Sequence, residues 1–151
     1  MRKSYAKAGL VAAALATILL AIPVAQAGTA RNHAVNATIK SSQVATAGGY
    51  AIDAGRVTGT GGEGAALIRT KATGPHTIAF KAKVFYPAGS QSAAGSFDFT
   101  VNADGTVDFT GNGHYTAGTA RFRGVTGQLK VTGSIDANGL ATAHVTGNAK
   151  Y

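Results

Sequence analysis

Ser96-Phe97-Asp98-Phe99-Thr100-Val101-Asn102-Ala103-Asp104-Gly105-Thr106-Val107-Asp108-Phe109-Thr110 is two alternating runs around a turn. Apolar and polar residues exchange at every step, the period of a strand with one buried face. Between the runs stands Asn102-Ala103-Asp104-Gly105, whose Asp-Gly pair tolerates the positive φ of a tight turn. The stretch predicts an antiparallel hairpin over 96–110. A second is predicted over 129–146, around Asp136-Ala137-Asn138-Gly139.

The same period runs through the chain after residue 28, and no window carries helical spacing. Thr77 to Tyr86 reads as a longer strand, fenced by Pro75 and Pro87. Strands are expected near 34–40, 50–58, 64–71, 76–86, 94–101, 105–112 and 139–149, with 119–123 plus 128–136 as a bent pair. About eight short strands in meander order predict an all-β, eight-stranded antiparallel closed barrel, with a sandwich as the alternative. Closure also removes unpaired edges. Residues 28–33 read as a loose tail, 34–151 as the barrel domain, and Gly59 to Gly64 as a flexible loop.

The start of the chain reads differently. Arg2, Lys3 and Lys7 precede an apolar run from Leu10 to Ile22, then Pro23 and Ala25-Gln26-Ala27. This is the pattern of a signal peptide over 1–27. The apolar run has 13 residues, short of the ~20 that cross a bilayer. A secreted or periplasmic protein follows, with no transmembrane anchor after cleavage.

Three of the 14 Lys and Arg lie in that leader, and the rest still outnumber the 6 Asp and Glu. The surplus favours anionic surfaces such as cell walls, lipid head groups or polysaccharides. The bases are scattered with no basic run, so nucleic acid is not an expected partner. There is no cysteine, so an exported chain of this size must hold itself by core packing or subunit contacts. The four histidines, His33, His76, His114 and His144, have no metal-ligand spacing. Neither a metal site nor a cofactor is expected. No nucleophile elbow is present.

Gly118-Thr119-Ala120-Arg121-Phe122-Arg123-Gly124-Val125-Thr126-Gly127-Gln128-Leu129-Lys130-Val131 is glycine-rich and basic. It lacks the Gly-Lys-Ser/Thr ending and following helix of a phosphate loop. The glycines read as a bend between strands. Phe122, pointing opposite to Arg121 and Arg123, is expected to fill the barrel or its mouth. The segment resembles the allene oxide cyclase and dirigent superfamily. Phe122, Gly124 and Gly127 stand in matching places, and Gln128-Leu129-Lys130 is close to the plant cyclase form. Ala120 stands where that family usually has its second glycine, and Val125 where it usually has alanine. The resemblance implies a calycin-like barrel with an apolar cavity, often trimeric, in a family that includes isomerases and proteins steering radical coupling.

The candidate chemistry is sparse. Asp98 and Asp108 either point outward, paired with Lys81 and Lys83 as a charge ladder, or line a cavity as a desolvated acid or base. Glu63, in a glycine-rich loop, is either a mobile acid at the barrel mouth that acts on a ligand or a solvated side chain. These three are the catalytic candidates. Phe80, Phe97, Phe99, Phe109 and Phe122 either form a packed core or line a ligand cavity. Ala79, Ala82, Ala141 and Ala143 are read as small inward residues that leave room. Three functions follow: binding of a small apolar molecule, an isomerase or cyclase of the resembled family, or a surface-associated structural protein.

Overall fold

The computed structural model describes residues 29–151; the leader expected over 1–27 lies outside the described residues. Eight strands run β1 Asn32–Ala47, β2 Tyr50–Gly59, β3 Gly64–Ala72, β4 Thr77–Tyr86, β5 Gly89–Val101, β6 Val107–Gly118, β7 Gln128–Ile135 and β8 Leu140–Lys150. Each pairs antiparallel with the next, and β8 returns to β1 to close the barrel. Both predicted hairpins are present, as β5–β6 and β7–β8. Their turns hold Gly105 at φ 83° and Gly139 at φ 81°. The Asp104 carboxylate accepts from the Thr106 backbone N–H at 3.0 Å, and Asp136 accepts from that of Asn138 at 2.9 Å.

β1 is longer than its sequence pattern suggests because it serves two ladders. Asn32 to Ser42 pair with β8, while Ala37 to Ala47 pair with β2. This offset is the stagger that lets a sheet close on itself. His33, read as tail, therefore lies in a strand opposite Ala149. Two bulges shape the wall, one leaving Val44 unpaired on β1 and one leaving Thr116 unpaired on β6. Each extra residue flips the side-chain phase beyond it. The Thr116 bulge turns Gly118 toward the inside.

That flip prepares the closed end. Residues 119–123 do not extend a strand: Ala120–Phe122 forms one 3₁₀ turn. Ala120 has φ 49°, a left-handed backbone that ends β extension. The turn folds across the barrel end, with the Thr119 N–H on the Ser90 carbonyl at 2.9 Å and the Arg121 N–H on that of Ala88 at 3.2 Å. A Cβ on Gly118 would run into the Phe122 carbonyl oxygen, so only glycine lets the turn lie this close. Phe122, Val125 and Ala149 are buried together against Tyr86, Tyr115 and Tyr151. Phe122 meets Tyr151 edge-on, with ring centroids 5.1 Å apart. The barrel is thus plugged at the end where Arg31 pairs with Tyr151. Among the described residues, the other end carries the short turns 48–49, 73–76, 102–106 and 136–139.

Most inward residues are apolar, whereas the Lys and Arg of the strands, with Asp98 and Asp108, face outward; Asp53 and Thr70 are inward exceptions. This polarity is opposite to that of a membrane-spanning barrel, whose apolar band meets lipid.

Phe122→Ala removes the centre of the plug and is expected to cost roughly 3–5 kcal/mol in denaturant unfolding; an unchanged midpoint would mean the plug is not packed. Ala120→Gly relieves a left-handed alanine at an exposed site. A gain of about 0.5 kcal/mol is expected once the freer unfolded chain is counted. A lower melting temperature for this variant would contradict the strain.

Candidate functional site

The strands enclose a cavity of about 410 Å³. Its wall follows from the phase of each strand: Ile78, Phe80, Ala82 and Val84 from β4, Phe97 and Phe99 from β5, Phe109 from β6, Leu129 and Val131 from β7. Three phenylalanines form a connected wall. Phe97 lies 5.0 Å from Phe109 and 6.1 Å from Phe80 between ring centroids. Glycines on the same inner surface make room for these rings. A Cβ on Gly113 would meet Phe80 Cζ at 2.8 Å, and one on Gly133 would meet Phe109 Cζ at 2.6 Å. The lining runs to the last inward residues beside the short turns, Ala51, Ile78, Phe99, Val107 and Ile135, and with the opposite end plugged the cavity faces out there.

Of the aromatic candidates, Phe80, Phe97, Phe99 and Phe109 line the cavity together. Phe122 does not; it sits beneath it, in the plug. Ala82, Ala141 and Ala143 face inward as read, whereas Ala79 is not among the lining residues and falls on the opposite phase of β4.

The three acidic candidates are not brought together. Asp98 and Asp108 alternate with cavity-lining phenylalanines, so both face outward and are exposed. Nor do they pair with lysine. Asp98 is level with Thr77 at the start of β4, and accepts from the Thr77 hydroxyl at 2.6 Å. Asp108 accepts from the Asn102 side-chain amide at 2.9 Å. Lys81 instead stands between Arg69 and Ala94, and Lys83 between Leu67 and Ser92. Glu63 is exposed in the β2–β3 loop at the plugged end, away from the open mouth.

The carboxylate that does line the cavity is Asp53 on β2. Burial raises its pKa above the usual value of 3.8. Ile52, one step earlier, points outward. Read locally, the more apolar Ile52 is the natural inward residue, and Asp53 the solvent one. The phase is set from the far end of the strand, where Val57 is fully buried opposite Ile39. Counting back in twos from Val57 through Gly55 reaches Asp53; that was the available signal.

Beneath the cavity, Tyr86 and Tyr115 form its floor and also line a second, polar recess of about 340 Å³ with His33, Arg121 and Tyr151. His33 stacks on Tyr151 at 4.4 Å. Burial, with the neighbouring Tyr86 and Tyr151 phenols, pushes Tyr115 up to about 12. Among the described residues no three His, Cys, Asp or Glu side chains gather as metal ligands would.

The outer surface of β1–β4 is strongly basic. Lys40 stands directly opposite Arg56, and Arg69 directly opposite Lys81. Lys71 and Lys83 extend the array, and Leu67 and Phe85 are exposed within it. None of the chain's 6 carboxylate side chains lies on this face. Like charges directly across a ladder are destabilising.

Compared with protein families, curated proteins and solved structures, the chain matches none.

A raised Asp53 pKa means the native state holds this proton more tightly than the unfolded chain. Stability from this group is therefore lost as pH rises from about 4 through the raised value. Asp53→Asn is expected to be more stable than the parent at pH 7, with the difference vanishing near pH 3 in urea titrations. A difference independent of pH would mean the carboxyl is not desolvated.

Proposed function

We propose that this is an exported barrel protein that binds one small apolar molecule inside its barrel. The observation that carries the reading is the cavity of about 410 Å³ walled by Phe80, Phe97, Phe99 and Phe109 and open at one end. This volume lies within the ~300–1,000 Å³ of small-molecule sites, and eight strands are wide enough to hold one small ligand. Export rests on the leader pattern of residues 1–27. The resemblance of Gly118–Val131 to the allene oxide cyclase and dirigent superfamily supports the same kind of barrel. Catalysis of that family's type has less support, because Asp98, Asp108 and Glu63 all lie away from the cavity and Asp53 lines it with no His, Lys, Arg or second carboxylate beside it.

A second reading, attachment to an anionic surface, is favoured by the basic face of β1–β4. Placing Arg69 across from Lys81 costs stability, and an anionic surface would offset that repulsion. The two readings are compatible, since the cavity mouth and the basic wall are separate.

A neutral bicyclic aromatic such as 1-methylnaphthalene is expected to bind with a stoichiometry of about one, followed by ligand fluorescence. Filling the cavity with Ala82→Leu and Ala143→Leu together is expected to weaken binding by at least about tenfold, or 1.4 kcal/mol, with the circular dichroism spectrum unchanged. Unaltered affinity in the filled variant would overturn the assignment. For the basic face, co-sedimentation with vesicles containing acidic phospholipid is expected at low salt and lost near 0.5 M salt. Arg69→Ser with Lys81→Ser should weaken it, and binding that ignores both salt and these changes would contradict this reading.

A further inference from the structure

The cavity wall is not uniform. Asp53 lies directly across from Gln43 on β1. Ser41, on the same inner phase of β1, and Thr70, opposite Ala51 on β3, also line the cavity. These four polar side chains form one quadrant, on β1–β3 toward the open end. The rest of that end is Ile78, Phe99, Val107 and Ile135. A ligand entering there meets a polar patch on one side and an apolar wall on the other.

Asp53 is the one carboxylate in the lining. Desolvation is the sole cause of its shift, so neither a cation nor a hydrogen-bond donor compensates it. The cations of the adjoining strands cannot reach it. Lys40, Arg56, Arg69 and Lys71 stand on the opposite phase to the lining residues and are exposed. Gln43, its cross-strand neighbour, donates one side-chain N–H to the Thr46 hydroxyl at 3.1 Å. A half-buried carboxylate without a partner is partly desolvated, and that costs stability. Among the described residues no cation stands beside it in the lining, although the outer faces of the same strands carry several.

The geometry points to a ligand that supplies that partner: a small amphiphilic amine, its apolar body against Phe97, Phe99 and Phe109 and its protonated nitrogen on Asp53. A charge-assisted hydrogen bond to a carboxylate is about twice as strong as a neutral one. The hydroxyls of Ser41 and Thr70 offer acceptors for the remaining N–H groups. This assignment rests on the barrel interior being the binding site.

A matched series separates the two claims: 1-methylnaphthalene, 1-naphthylmethanol and 1-naphthylmethylamine, titrated into the full chain at pH 7 by calorimetry. The amine is expected to bind at least about tenfold tighter than the methyl compound, with the alcohol between them. Asp53→Asn should abolish the amine's advantage over the methyl compound. Asp98→Asn, which removes the same charge on the outside, should leave the whole series unchanged. An amine no tighter than the methyl compound overturns the amine assignment, as does an advantage that survives Asp53→Asn. An alcohol equal to the amine overturns it in favour of a neutral donor. If the methyl compound itself does not bind, the barrel is not an apolar binding site and the amine assignment falls with it.

Discussion

The ladder between β1 and β8 is the constraint on which the rest of the molecule depends. It runs from Asn32–Lys150 to Ser42–Leu140 and turns an open meander into a ring. With no cysteine in the chain, this ladder, the packing inside it and the plug do the work that disulfides do in many small exported proteins. Once the ring is closed, every strand has a fixed inside and outside. A one-residue slip would exchange Phe97 and Phe99 for Asp98 and Thr100. The hydrophobic effect therefore locks the register that the backbone hydrogen bonds satisfy.

Closure creates a space that the side chains do not fill. Four phenylalanines could occupy most of an eight-stranded interior, but they cluster on β4, β5 and β6. Gly113 and Gly133 recess the wall where the Phe80 and Phe109 rings approach it. On β8 and β1 no aromatic ring points inward, and Ala37, Ala141 and Ala143 stand among aliphatic residues such as Ile39 and Val145. Large rings on one side and smaller side chains on the other leave a hollow, not a packed core. The plug keeps that hollow from becoming a tube, because Phe122 and the tyrosines above it seal one end.

The fold was readable wherever the pattern alternated with large apolar residues. The β5–β6 and β7–β8 hairpins, with Asp104-Gly105 and Asn138-Gly139, stand where the sequence places them. It was not readable where the inward residues are small or polar. The beginning of β5, Gly89-Ser90-Gln91-Ser92-Ala93, has no hydrophobic period, and its pairing is imposed by β4 and the end of β6. The segment after Gly118 looked like a strand because Phe122 sits between two arginines. The left-handed Ala120 instead makes it a turn. Asp53 escaped notice for a related reason. Its neighbour Ile52 is the more apolar residue, and only the phase of the distant Val57, fixed by tertiary burial, places the carboxyl inside. Similarly, the expected ladder of Lys81 and Lys83 with Asp98 and Asp108 assumed a register that the β4–β5 pairing does not adopt.

The central claim is that the barrel is hollow and takes its ligand inside. It is tested most directly by the anomalous signal of bromine in crystals soaked with 1-bromonaphthalene. The account places the bromine within the ring of strands, between the Phe97–Phe109 wall and Ala143. Bromine found only on the outer surface, or an interior filled by repacked side chains, would contradict it.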